Sequence, residues 1–205
     1  MNDETSTSAT RTVTFVSHRG RAFISPNVAS YEVTDDYDAV VYDLDGTLVR
    51  LAVDWAAAAE PIKPILREHG ADADADDALD LLPVAESMGL AEEVEPHLAA
   101  AERAGARDSE RLPLLDELAA ADGPVGICSL NCEAACRLAL DAHGVPNATD
   151  VIVGRDSVPE RKPHPQPLLT AMQKLGATPE RTLFVGDSDS DAETARRAGT
   201  AFRRV

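Results

Sequence analysis

Three short segments of this 205-residue chain carry acidic and hydroxylic side chains of the kind that handle phosphate and divalent metal. They are Asp43-Leu44-Asp45-Gly46-Thr47, Ser129-Leu130-Asn131 and Gly186-Asp187-Ser188-Asp189-Ser190-Asp191, with Arg161-Lys162-Pro163 between the last two. Asp43 and Asp45 are separated by one residue, so two carboxylates leave the chain close together, and Gly46 permits a sharp turn with exposed backbone N–H groups. Such a pair repels itself unless a cation or a shared proton intervenes. Mg²⁺ suits this role, being a hard ion that takes carboxylate and phosphate oxygens. A surface turn in an aspartate-rich chain would carry the same residues. Against it stands a second acidic cluster, Asp187 and Asp191, at the end of another apolar run.

Lys162 is one of only three lysines, with Lys63 and Lys174. Next to Pro163 in a non-helical segment, it can supply a fixed positive charge to a phosphate or to the Asp43 carboxylate, although a solvated loop lysine would look the same. The Ser129 hydroxyl can donate to a phosphate oxygen, but serine after a strand is common. His164 reads as a loop histidine. Cys128, Cys132 and Cys136 recur every four residues, yet the first falls in a strand-like run and the others on the following helix. They are therefore expected as packed, reduced thiols rather than a zinc site.

To converge, these residues must lie at the carboxyl ends of strands. Residues 37–42, 125–128, 151–153 and 182–185 read as strands, alternating with helices over 114–118, 132–143, 167–175 and 191–198; Gly144, Gly176 and Gly199 close the last three. That alternation predicts an α/β fold, a Rossmann-like, mostly parallel sheet covered by helices on both faces, with ligands at the strands' carboxyl ends. Residues 37–50 and 112–205 form the expected core. Residues 51–111, rich in Ala, Leu and Glu, form a small helical cap with apolar faces at Leu79, Leu82, Val84 and Ala85 and at Val94, Leu98 and Ala101. Within it, alternating Ala and Asp over 71–77 reads as a solvated connection. Residues 1–36 form an N-terminal extension with a hairpin over 13–24 turning at Gly20.

Net charge is -17, from 36 acidic against 19 basic side chains. This disfavours nucleic acid and anionic lipid as partners. Acidic excess with few lysines resembles proteins of salt-accumulating, haloarchaeal microbes, where molar salt cuts the Debye length to about 3 Å. A GC-rich genome would produce an ordinary acidic protein of similar composition. No stretch of about 18 apolar residues exists and residues 1–12 are polar, so a cytoplasmic protein is expected.

The four segments, in this order, resemble the haloacid dehalogenase-like hydrolase superfamily, and the pattern over residues 38–201 is similar to its phosphoglycolate phosphatase-like branch with a small helical cap. Arg161 stands where glycine is more usual, and Ser129-Leu130-Asn131 is looser than the common Thr-Asn pair. The resemblance implies a Mg²⁺-dependent phosphomonoester hydrolase acting on a small phosphorylated metabolite, as monomer or homodimer. In that mechanism Asp43 attacks phosphorus and Asp45 serves as acid and then base. Ser129 and Lys162 bind the phosphoryl group, with Gly46, Thr47 and Asn131 as further phosphate contacts. Asp43, the Asp45 carbonyl and Asp187 hold the metal, and Asp191 supports it. A sugar-phosphate mutase shares the same core residues, and a non-catalytic binding or regulatory protein would share the fold. Substrate choice is expected of the cap, with Arg50, Lys63, Arg67, His69, His97, Arg103 and Arg107 as candidate contacts.

Overall fold

In the computed structural model, described over residues 37–205, the chain runs β1 (Ala39–Tyr42), β2 (Val49–Arg50), α1 (Trp55–Ala59), α2 (Ile62–Glu68), α3 (Ala78–Ser87), α4 (Ala91–Arg107), β3 (Glu110–Arg111), α5 (Leu114–Ala120), β4 (Val125–Cys128), α6 (Glu133–Ala142), β5 (Val151–Val153), α7 (Gln166–Leu175), β6 (Thr182–Gly186), α8 (Asp189–Ala198) and β7 (Ala201–Arg204). The hairpin expected over 13–24 lies outside the described residues.

Five strands form one parallel sheet in the order β5-β4-β1-β6-β7. β1 and β4 are buried at every residue, so both faces are covered and the strands read as continuous apolar runs rather than alternations. Successive side chains still point to opposite faces. Val40 and Tyr42 join Leu115 and Leu118 of α5 and Cys136, Ala139 and Leu140 of α6, whereas Val41 joins Leu168 and Met172 of α7 and Ala195 of α8. Connections run from β1 outward to β4 and β5, then return to β6 and β7 on the other side of β1. The carboxyl ends of β1, β4 and β6 therefore flank a reversal in strand order, the position where such sheets bind ligands.

The insertion after β1 is helical, as expected. Ala59, Ile62, Leu66, Leu81, Leu82, Ala85, Val94 and Leu98 of α1–α4 bury into a cluster of their own. Asp54 and Asp77 cap α1 and α3, accepting from the backbone N–H groups of Ala57 and Leu79. Residues 71–77 form a connection without helix or strand. One expected face is corrected. α3 begins at Ala78, so Ala78, Leu81, Leu82 and Ala85 turn inward at helical spacing, and Leu79 is 44% exposed.

Two features carry no readable sequence pattern. The insertion is entered and left through an antiparallel ribbon pairing Val49 with Arg111 and Arg50 with Glu110. β7 extends the sheet at its edge, where Arg203 Nη2 donates to Glu117 Oε1, which also accepts from the Tyr42 hydroxyl. Two-residue strands and a strand ending in two arginines are too short and polar to register as alternation.

Candidate active site

β1 delivers Asp43. The Asp43 N–H donates to Val185 O on β6 at 2.8 Å, and the chain then wraps around the Leu44 carbonyl, which accepts from the N–H groups of Thr47, Leu48 and Val49. Gly46 sits in this turn at φ +83°, where a side chain is strained; a Cβ there would also lie 2.3 Å from Asp187 Oδ2. Glycine is thus required both by the turn and by the carboxylate pressed against it.

β6 delivers the second cluster. Asp187 follows the strand directly, and Asp191 lies on the first turn of α8, where its carboxylate accepts from Ser188 N–H and Ser188 Oγ while the Asp191 N–H donates back to Ser188 Oγ. Asp43, Asp187 and Asp191 each place a carboxylate oxygen within 4.8 Å of the others. Three carboxylates at that separation need positive charge, and Lys162 supplies part of it. Its Nζ donates to Asp43 Oδ1 at 2.7 Å and to Asp191 Oδ1 at 2.5 Å, with the Phe184 ring 5.7 Å away. Lys162 is only 4% exposed.

The electrostatics follow from this burial. Desolvation disfavours the Lys162 ammonium, but Asp43 and Asp191 more than offset it, so Lys162 stays protonated well above its usual range. Burial pushes Asp43 up to about 6, with Lys162 pulling it down and Asp191 pushing it up. Asp45 is raised by burial and by Asp187, against the Leu51 N–H that its Oδ1 accepts at 2.8 Å.

A stability prediction follows for metal-free protein. Asp43 holds its proton more tightly folded than unfolded, so the folded state is penalised as pH rises from about 4 through about 6. Asp43→Asn carries no such penalty. Its stability advantage over wild type should grow across that window by up to about 3 kcal/mol and level off above it. Paired denaturant titrations from pH 4 to 8 in chelator measure it; a constant difference would refute the raised value.

The β4 end carries the third segment. Ser129 Oγ donates to Asn131 Oδ1 at 3.1 Å and accepts from the Asn131 N–H at 3.2 Å, and both residues are buried. The intervening Leu130 therefore does not carry Asn131 away from Ser129. Among the described residues, Thr47 Oγ1 is buried without a hydrogen-bond partner, as a side chain awaiting a ligand oxygen would be. The Asp45 carboxylate stands outside the acidic trio and faces Leu51.

Other sequence candidates lie elsewhere. His164 is exposed, its Nδ1 accepting from the Gln166 N–H. Cys128, Cys132 and Cys136 are buried and free, and burial pushes the Cys128 thiol up to about 12. Of the cap candidates, Arg50 pairs with Glu110, Lys63 with Glu60, Arg67 with Asp74, Arg107 with the Arg103 carbonyl and His69 with the Ile65 carbonyl, all contacts local to the insertion or its ribbon. Sequence reading missed Glu95, Glu102 and Arg155. The available signal was Glu102, a carboxylate on the apolar stripe of Val94, Leu98 and Ala106.

A parallel α/β sheet with acidic residues and a buried lysine at its strand reversal, and a helical insertion after its first strand, defines the class: a Rossmann-like protein with an aspartate-built candidate metal site. Residues 109–205 match the family model described as haloacid dehalogenase-like hydrolase. Over that stretch, a little under half of the chain, it is similar to that superfamily and to its phosphoglycolate phosphatases. It is 42% identical over 86 residues to a phosphoglycolate phosphatase of Xylella fastidiosa, covering 42% of this chain and 38% of that protein. It is 39% identical over 91 residues to the pyrophosphatase PpaX of Oceanobacillus iheyensis, covering 44% of this chain and 42% of that one. These matches span less than half the length of either curated relative. The crystal structure of a HAD-superfamily hydrolase, subfamily IA, variant 1, from Geobacter sulfurreducens shares the fold with a TM-score of 0.55 at 23% identity, over 81% of this chain and 88% of that one. The relatives are bacterial and lend no support to the expected haloarchaeal kinship. No described helix is long and apolar enough to cross a membrane.

Proposed function

We propose that this protein is a Mg²⁺-dependent phosphomonoester hydrolase that acts on a small phosphorylated metabolite through a phospho-aspartate on Asp43. The observation that carries the reading is Lys162 Nζ bonded to both Asp43 and Asp191, with Asp187 beside them.

The residues fit Mg²⁺ by their chemistry, an all-oxygen set of three carboxylates gathered where Gly46 and Gly186 leave room for Asp187 and Asp191. Asp43, Asp187 and the Asp45 carbonyl would hold the ion and Asp191 would support it; when bound, it neutralises charge on the phosphoryl oxygens and on the carboxylates. The protein's own groups do the rest. The Asp43 oxygen not bonded to Lys162 attacks phosphorus, forming the acyl-phosphate bond as the ester P–O bond breaks. Asp45 gives its proton to the departing alkoxide. The resulting carboxylate takes a proton from the water that attacks phosphorus, releasing phosphate and restoring Asp43. Lys162, Ser129, Asn131 and Thr47 stabilise the phosphoryl oxygens, whereas the Gly46 N–H donates to the Val49 carbonyl at 2.8 Å. The raised affinity of Asp45 for its proton suits a group that must be acid in one step and base in the next.

Asp45→Asn keeps an oxygen for the Leu51 N–H and loses only the exchangeable proton. Turnover should fall at least about 10²-fold; a rate near wild type would remove Asp45 from the acid–base role. The activity itself is tested by phosphate release from a panel of small phosphomonoesters in molar KCl and in dilute buffer, with Mg²⁺ added or chelated. Release that stops on chelation supports the reading. No release by folded protein would refute it, and isomerised product without net release would identify a mutase. The KCl arm also tests whether activity depends on high salt; we further propose a cytoplasmic monomer or homodimer without nucleic-acid partners, the last supported by the net charge of -17.

A further inference from the structure

Glu102 lies in the middle of α4, at the insertion's junction with the core, and is 0% exposed. A buried carboxylate is costly unless paired and fully bonded. Here the pairing comes from Arg155, just after β5, whose side chain is 7% exposed. Arg155 Nη1 and Nη2 donate to the two Glu102 oxygens at 2.5 and 3.1 Å, and Nε and Nη2 donate to Glu95, two turns earlier on α4, at 2.9 and 2.8 Å.

The same two residues grip the chain that follows β4. Arg155 Nη1 donates to the Leu130 carbonyl at 2.7 Å, the Arg155 N–H donates to the Asn131 carbonyl at 2.9 Å, and Glu102 Oε2 accepts from the Cys132 N–H at 2.8 Å. Three consecutive residues are each held by one bond. Cys132 makes no side-chain cap for α6, so Glu102, reaching from another helix, satisfies one of the orphan N–H groups at that end and sets its charge favourably against the helix dipole. Close packing reinforces the grip, since a Cβ on Gly154 would lie 2.4 Å from the Glu133 nitrogen and 2.8 Å from the Asn131 carbonyl oxygen.

We propose that Glu102 and Arg155 are positioning residues that hold loop 129–132 in its phosphoryl-binding shape, so that a helix of the insertion sets where Ser129 and Asn131 stand. This rests on the reading above that the loop binds the phosphoryl group. The competing account is that the pair merely docks the insertion on the core. A second ion pair, Glu86 with Arg161, crosses the same junction without touching the loop, and so provides the control.

The test compares Glu102→Ala, Glu102→Gln, Arg155→Lys and Glu86→Ala. Amide hydrogen exchange over residues 129–133, which needs no activity, should speed up at least about tenfold in Glu102→Ala, stay near wild type in Glu102→Gln, which keeps an acceptor for Cys132, and not change in Glu86→Ala. Inhibition by inorganic phosphate should weaken at least about tenfold in Glu102→Ala, with the half-saturating Mg²⁺ concentration unchanged because Asp43, Asp187 and Asp191 are untouched. Combined with Ser129→Ala, Glu102→Ala should add little further loss, because both act through one loop. Should Glu102→Ala fail to fold, Arg155→Lys replaces it, since an ammonium cannot span two carboxylates and the Leu130 carbonyl at once. Unchanged exchange in the folded variant, or equal effects from Glu86→Ala, would overturn the proposal. A wild-type protein that releases no phosphate would refute the phosphatase reading alone, leaving exchange and phosphate binding to decide the positioning role.

Discussion

Replacing Asp43 with Asn should leave a folded protein whose phosphate release is at least about 10⁴-fold slower than wild type. The substitution keeps the shape of the side chain and removes the proposed nucleophile. The amide oxygen can still accept from Lys162, and the backbone bond from residue 43 to Val185 is unaffected. The loss therefore reports chemistry rather than collapse, because a neutral amide cannot form the acyl-phosphate bond. Mass spectrometry of acid-quenched wild type during turnover should find one phosphoryl group on the peptide containing Asp43 and none on the variant. Turnover by the variant within tenfold of wild type would move the nucleophile elsewhere.

Lys162→Met should lower both activity and stability. Methionine approximates the lysine stem but leaves Asp43 and Asp191, both buried, without the ammonium that joins them at 2.7 and 2.5 Å. Removing one partner from a buried ion pair costs about 3–5 kcal/mol because the uncompensated charge remains. Activity should fall at least about 10²-fold, as when one preorganised donor to a developing charge is lost. The destabilisation has a signature that a packing defect lacks. It should be worst in chelator, and Mg²⁺ should recover more stability in the variant than in wild type, because binding to the folded state now relieves unpaired carboxylates. Thermal melts of both proteins with and without Mg²⁺ check this. Equal Mg²⁺ increments, or a variant as stable as wild type in chelator, would show that Lys162 does not balance the cluster. Lys162→Arg should not restore activity, since a planar guanidinium does not replace a compact ammonium among two carboxylates and a ring.

The strands were legible for a simple reason. β1, β4 and β6 are largely buried on both faces, so each is an apolar run that stops at its carboxyl end, and the stop is where the polar site residues lie. The helices that follow were equally plain, as with α7 and α8, which end at Gly176 and Gly199 in the left-handed conformation. The two-residue ribbon and edge strand β7 were not legible, because they are too short and polar for burial to show as an apolar pattern. The inward face of α3 was misjudged at Leu79 because a cap at Asp77 sets the helix phase, and one residue of phase turns a side chain by about 100°.

By itself, then, the sequence determined which residues carry charge, which runs must be buried, and that Asp43, Lys162, Asp187 and Asp191 stand at or near strand ends on one side of a parallel sheet. Only the tertiary structure decided their partners: that Lys162 bridges Asp43 and Asp191, that Asp45 turns to Leu51, and that Glu102 of the insertion reaches the loop after β4. The physical reason is range. Burial and helical phase are inscribed in neighbouring residues, whereas a hydrogen bond between residues 30 or 119 positions apart exists only once packing has brought them within 3 Å.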